Sequence, residues 1–446
     1  MDYYSIHHQY IILAVLLLWP VAIVLARTFN EPKELELKSV HVLMRHGDRT
    51  PTHFYPNDPF QDVEKYWPEG LGELNDRGRL RIHFAGEYYR KIYDKFLRQT
   101  NGWPQHCLSS PAHRAQETAI LFMESFLNDT KIACEIYTDG KMLSTGEKCA
   151  LHDRVWLQQM NTKMVKNYLD SKRDYIDYLS TKTGQDYWSK ESYTLRNMEF
   201  LATTLEIERD EYRLSVPDWV QNQTIIEQLN DMKHHAFWYD WQPHEIQKLR
   251  IGLLLNNITE HIRTLMMIND DDNGEKNDHQ RFFLYSAHDV NQVILLQSLG
   301  LYDQIDRQPP SYSSGIVFEH YQTVSSSMTK ETKHFIRIIY RQILNKNPIL
   351  PNNQTMTFNV SDQILTMDYC HSSSQMKFNN IDDHNEFCPF EKFIKFTQPL
   401  LITNENDWYN ECYESNHIVD HIMANQSMII ITLIFTIMMT KYYSVI

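Results

Sequence analysis

The residues best suited to chemistry lie in Met44-Arg45-His46-Gly47-Asp48-Arg49-Thr50-Pro51, where one imidazole sits between two guanidinium groups. That arrangement suits an anion and is awkward for almost anything else. Two further places fit the same chemistry: Arg114, shortly after Ser109-Ser110-Pro111, and the pair His288-Asp289. A phosphomonoester is a dianion at neutral pH, and planar guanidinium forks bind its oxygens bidentately. Arg45, Arg49, Arg114 and His288 would therefore hold a phosphoryl group without a metal. A neutral His46 would attack phosphorus through one ring nitrogen and form a phosphohistidine. A protonated Asp289 would give its proton to the leaving alkoxide, and water would hydrolyse the intermediate.

Taken singly, each of these residues reads as an ordinary surface group, so the elements that deliver them carry the argument. Lys38 to Met44 is a short apolar run of the kind buried in a parallel sheet, and the His46 stretch follows its carboxyl end, where open α/β sheets bind ligands. Cys107 to Ser110 can end a second strand, with Pro111 opening a helix whose core face is Ala115, Thr118, Ala119, Phe122 and Phe126. Arg114 then falls at the start of that helix. A cation is unfavourable beside the positive end of the dipole, and a bound anion would reconcile charge with position. Arg281 to Ala287 is a third strand, ending at His288-Asp289. Between the first two strands, Asn75 caps a long helix with Leu80, Phe84, Tyr88, Ile92 and Phe96 as its apolar face.

From Lys131 to Met267 the pattern turns helical and aromatic, with Trp156, Tyr187, Trp188, Trp238 and Trp241 expected in a core rather than stacked on a ligand. The acidic run Asn269 to Asn277, with Gly274, reads as a linker. Helix Val290 to Leu299 and strands Ile316 to Tyr321 and Phe335 to Tyr340 complete the expected elements. The fold class is α/β: a three-layer core with a central, mostly parallel sheet flanked by helices, plus an inserted helical cap. The core takes 33–130 and 280–412, and the cap takes 131–279.

The 446-residue chain is long enough for a sizeable core, and its net charge of -14 excludes a general nucleic-acid binder, which needs a surplus of Lys and Arg. Any anion must be gathered by a local cluster. No Cys-x-x-Cys spacing points to zinc, and neither a metal nor a cofactor is expected.

The ends point to export. The apolar run Ile11 to Leu25 with small residues before Arg27 reads as a signal peptide over 1–26, although its n-region lacks Lys and Arg. Residues 422–440 read as a single transmembrane anchor, with 441–446 as a short cytosolic tail. Tyr443-Ser444-Val445-Ile446 has the form read by endosomal sorting adaptors. Asn128, Asn222, Asn257, Asn353 and Asn359 are glycosylation acceptors, while Asn425 lies too near the membrane. The six cysteines, an even number, suit an oxidising compartment. The expected location is the secretory pathway, lysosomal or at the cell surface, with the catalytic part lumenal or extracellular.

Arg45-His46-Gly47-Asp48-Arg49-Thr50-Pro51 together with Ser286-Ala287-His288-Asp289 resembles the histidine acid phosphatase family, in particular its lysosomal and prostatic branch. Phe54 to Pro59, Trp67 to Leu74, Gly86 to Lys91 and Asp407-Trp408 before Cys412 are similar to further family segments. The resemblance implies a phosphoglycerate mutase-like fold, His46 as nucleophile, Asp289 as proton donor, and Arg45, Arg49, Arg114 and His288 as the phosphate pocket. It also implies the disulfides Cys149–Cys412 and Cys370–Cys388, and a homodimer as a partner state. Cys107 and Cys134 have no family counterpart, and both pairing and remaining free stay open. Two departures stand out. His113 precedes Arg114 where the family has Asp, with Ala115 following, and Leu108 stands where relatives often carry another Arg, so a less basic pocket mouth is expected. The substrate expected is a small phosphomonoester. The alternative is a membrane-tethered protein that binds a phosphate ligand on the same fold with lost or weak turnover.

Overall fold

The computed structural model describes residues 35–99, 105–127, 135–136, 141–143, 146–190, 193–267, 281–324, 332–346, 356–370 and 386–414. The expected signal peptide, the linker at Asn269, the anchor, the Tyr443 tail, Asn128, Asn353, Asn425 and Cys134 lie outside them. Among the described residues no helix is long and apolar enough to cross a membrane.

The architecture is organised about β1 (Leu35–Arg45), where Val40, Val42, Leu43 and Met44 are fully buried. Val40, Val42 and Met44 pack with one helical layer while Leu43 packs with the other, because successive strand residues face opposite sides. At about 1.5–3 kcal/mol per fully buried aliphatic side chain, this alternation fixes the strand between two apolar layers. A one-residue slip would move every side chain to the other face.

The first layer contains α1 (Asp76–Gln99) and α2 (His113–Leu127), separated by β2 (Gln105–Ser109). Asn75 caps α1, its Oδ1 accepting from the Gly78 N–H at 2.8 Å. The buried face of α1 is Ile82, Ala85, Tyr89, Tyr93, Phe96 and Leu97; Leu80 and Ile92 are exposed. The expected face at strict four-residue steps is thus corrected. Four residues turn a helix by about 400°, so such a row spirals off the core, whereas alternating steps of three and four stay on it. The expected face of α2 is the one observed, with Met123 added.

After β3 (Glu135–Ile136) come the cap helices α3 (Ala150–Met160), α4 (Lys163–Ser171), α5 (Arg173–Thr183), α6 (Thr194–Glu206) and α7 (Gln223–Asp240). A widened turn, Ile207–Glu211, extends α6. Trp156, Tyr187 and Trp241 are buried in the core cluster, with Trp188 and Trp238 packed against it. The long α8 (His244–Met267) leads back to β4 (Phe282–Ala287) and α9 (Asp289–Ser298). Then follow β5 (Gly315–Thr323), β6 (His334–Asn345), β7 (Phe358–Leu365) and β8 (Cys388–Pro389).

The sheet runs β3-β2-β4-β1-β5-β6-β7, with β8 on β6. Pairings β2/β3, β2/β4 and β1/β4 are parallel, and those involving β5, β6, β7 and β8 are antiparallel. The sheet is therefore mixed: parallel in the half that ends at the candidate residues, antiparallel in the half formed by β5 to β8.

Cys149–Cys412 ties the start of α3 to the C-terminal segment, and Cys370–Cys388 ties the residues after β7 to β8. Cys107 is also disulfide-bonded. Of the described sequons, Asn222 is an exposed helix cap and Asn359 is exposed on β7. Asn257 instead sits within α8, its Oδ1 accepting from the Tyr285 hydroxyl at 2.8 Å, which is a poor setting for a glycan.

Candidate active site

Three strand ends converge. β1 and β2 flank β4 in parallel, so Arg45, Ser109 and Ala287 finish on one side of the sheet, and the residues after them share one hollow. The His46 N–H donates to the Ala287 carbonyl at 3.0 Å, and the Ser110 N–H to the Ser286 carbonyl at 3.0 Å. The stretch after β1 lies close against α1: a Cβ at Gly78 would come within 2.2 Å of the Asp48 carbonyl oxygen, and one at Gly47 within 2.9 Å of that of Gly78. Only glycine allows this approach. Asp48, buried beneath, pairs with Arg81 at 3.0 Å.

His46 is buried and directionally fixed. Its Nδ1 lies 2.8 Å from the Gly47 carbonyl, which can only accept, so Nδ1 carries the proton and Nε2 keeps its lone pair. Burial first, then Arg114, His288, Arg45 and Arg49, hold its pKa well below the usual histidine value. Both effects favour the neutral ring, with its lone pair at Nε2. His288 stands edge-on to it with ring centroids 5.4 Å apart, exchanges a hydrogen bond with Ser110 Oγ at 2.9 Å, and is pushed down to about 3 by burial and Arg114.

Arg45 donates to the Pro310 carbonyl at 2.5 Å, pairs with Asp289 at 2.7 Å and lies over the Tyr312 ring at 3.9 Å. Arg49 donates to the Thr50 carbonyl at 2.9 Å. Arg114 is pushed down to about 10 by burial and then by Arg49, the signature of cations crowded together. The Nε–H groups of Arg45, Arg49 and Arg114 are all buried without a partner among the described residues. A bound anion would satisfy such donors. Burial alone would raise Asp289, but Arg45 and Arg49 outweigh it and hold the carboxyl below its ordinary value.

Residues 36–341 match the histidine phosphatase superfamily (branch 2). The chain belongs to this family. Prostatic acid phosphatase of Bos taurus is 22% identical over 406 residues, spanning 86% of this chain and 89% of the relative, and lysosomal acid phosphatase of Homo sapiens is 24% identical over 394, spanning 84% and 80%. Among solved structures, the phytase of Hafnia alvei in complex with myo-inositol hexakis sulphate covers 83% of this chain and 98% of its own at a TM-score of 0.58 and 14% identity. Klebsiella sp ASR1 phytase gives 0.58 at 16%, covering 83% and 96%. These structures share the fold. This histidine phosphatase is accordingly an enzyme of the acid phosphatase type.

All six residues expected at the site of this histidine phosphatase meet there. The two departures take these places. Leu108 is buried within β2 in the core and takes no part in the pocket mouth. His113 is mostly exposed, and its Nδ1 pairs with Glu73 at 2.5 Å, which raises its pKa. Sequence reading missed Tyr312, Ser110 and Gln292. Gln292 Nε2 donates to the carbonyls of Leu43 at 2.9 Å and Ser314 at 2.8 Å, tying α9 to β1. It also missed Glu199 on α6, which burial and then Asp289 push up to about 7. The Pro309-Pro310 break before β5 was the available signal for Tyr312; the others gave none.

Proposed function

We propose that this phosphatase hydrolyses phosphate monoesters through a phosphohistidine on His46, with Asp289 as proton donor. The observation that carries the reading is the pairing of a neutral His46, its Nε2 free, with three guanidinium groups that hold unpartnered N–H donors. Arg45, Arg49, Arg114 and His288 bind the phosphoryl oxygens. His46 Nε2 attacks phosphorus as the P–O ester bond breaks, and the departing alkoxide takes the proton of Asp289. Asp289, now a carboxylate, takes a proton from water as that water attacks the phosphohistidine, which releases phosphate and restores the enzyme. In the unliganded site Arg45 keeps Asp289 ionised. Phosphate oxygens at Arg45 and Arg49 offset those positive charges, so substrate binding raises Asp289 and loads the proton it must deliver.

A secretory or lysosomal setting is supported by the disulfides and by the names of the relatives. The apolar run at 422–440 is read as a membrane tether, with the catalytic part lumenal, and a homodimer is the assembly proposed. The full-length protein, assayed with an aryl phosphate across pH 3 to 8, should turn over best in acid, and His46→Ala should abolish hydrolysis without unfolding the chain. Phosphate binding without turnover anywhere in that range would favour the alternative of a tethered phosphate-binding protein.

A further inference from the structure

His113 has surroundings that give it a use of its own. It is the first residue of α2, so Glu117, four residues on, lies on the same face of the helix. Glu73, in the segment before α1, reaches the same place, its Oε2 2.5 Å from His113 Nδ1. One imidazole nitrogen and one oxygen from each carboxylate thus lie within 4.8 Å of one another. Imidazole joined by carboxylates is a donor set that suits zinc.

The hydrogen bonding of the cluster is incomplete. Arg79 donates to Glu117 Oε1 at 2.7 Å and is shared with Asp76 at 3.3 Å, whereas Glu117 Oε2 is buried with no partner among the described residues. A carboxylate with one oxygen held by a guanidinium is a ligand already oriented by a second contact. Tetrahedral zinc, with bonds of about 2.0–2.1 Å, sets its ligand atoms about 3.3 Å apart, so His113 and Glu73 must part by less than about 1 Å. The His113 side chain is 71% exposed and that of Glu73 28%, which leaves room for this movement and for water in the fourth position.

The two segments that meet here are those presenting two of the candidate phosphate ligands. The Glu73 N–H donates to Thr50 Oγ at 3.1 Å, the Thr50 N–H donates to the Glu73 carbonyl at 2.9 Å, and Leu74 forms a β-bridge with Arg49. On the other side, His113 is followed directly by Arg114. We propose that Glu73, His113 and Glu117 form a zinc site that takes no part in the reaction and ties the segment carrying Arg49 to the helix carrying Arg114. The ion also adds positive charge beside the phosphate pocket, which favours an anion there. This effect on the pocket rests on the phosphatase reading above; the binding does not.

The test uses the full-length protein in detergent, stripped of metal with EDTA and exchanged into phosphate-free buffer at pH 7. Calorimetric titration with zinc chloride should show an equivalent bound by the parent that His113→Ala weakens by at least about tenfold. Glu117→Gln, which keeps an oxygen for Arg79, should weaken the same equivalent and serves if the first variant folds poorly. KM for 4-nitrophenyl phosphate should fall by about threefold when zinc is added to the parent and stay unchanged by zinc in His113→Ala. A zinc isotherm that His113→Ala leaves unchanged overturns the site. No response of KM in the parent, or the same response in His113→Ala, overturns the tie to the phosphate pocket. Zinc bound as expected with no turnover of the aryl ester supports the site and overturns the phosphatase reading instead.

Discussion

Replacing Glu208 by Gln removes a titrating carboxyl from the joint between the loop after His46 and the cap. Asp58 in that loop and Glu208 in the widened turn after α6 are both buried, Glu208 fully. Asp58 Oδ1 accepts from the Phe60 N–H at 2.7 Å, but Asp58 Oδ2 and both Glu208 oxygens meet no donor among the described residues. Two carboxyls can bond each other only with a proton between them, and the Tyr55 and Tyr187 hydroxyls nearby bring no positive charge. Burial, with Asp58 adding to it, pushes Glu208 up to about 10. An unfolded Glu titrates near ~4.3, so the folded value is the raised one. The stabilisation is then fully present below the unfolded pKa and is lost as pH rises toward the folded pKa. One proton changes stability by about 1.4 kcal/mol per pH unit, which amounts to about 3 kcal/mol between pH 4.5 and 7. A Gln amide donates to Asp58 at any pH. Glu208→Gln should therefore match the parent within about 1 kcal/mol at pH 4.5 and exceed it by about 2–3 kcal/mol at pH 7. Urea unfolding with disulfides intact at the two pH values measures this, and an unchanged pH slope in the variant would refute the shared-proton reasoning.

Three further outcomes are expected. Asp289→Asn should slow alkyl phosphates by roughly 10²-fold or more and aryl phosphates far less, because only a poor leaving group needs the proton; steady-state rates against leaving-group pKa read this out. Arg114→Ala should lower kcat/KM by roughly 10²-fold, the loss of a charge-assisted hydrogen bond worth about 3 kcal/mol, and full activity would show that Arg114 does not bind phosphate. Gly78→Ala forces a Cβ to within 2.2 Å of the Asp48 carbonyl, so it should cost at least about 1–3 kcal/mol in thermal unfolding and reduce activity through displacement of the His46 loop.

Two of the site's three parts were legible because each follows a short apolar run ending abruptly in charge. Val40 to Met44, then Arg45-His46, carries that signal, as does Phe282 to Ala287 followed by His288-Asp289. Arg114 was legible from its discord with a helix start. The exposed side of α1 was misread because spacing at four residues imitates a stripe that actually winds around the helix. Leu108 and His113 could not be judged by position alone: one points into the core from β2, and the other turns outward to Glu73. Lys233 with Glu206 joins α7 to α6 within the cap, and Arg81 with Asp48 joins α1 to the stretch after β1, so each pair exists only once those elements pack together. Asp58 with Glu208 is of the same kind.

The central claim is a covalent phosphoryl group on His46 Nε2. Rapid acid-free quenching of the full-length protein with an aryl phosphate, followed by alkaline digestion and mass spectrometry, should find one phosphohistidine, at His46, accumulating to a larger fraction when hydrolysis of the intermediate is slowed by cold. The same peptide unmodified under conditions of burst release of the phenol, or phosphate carried on another residue, would contradict the account.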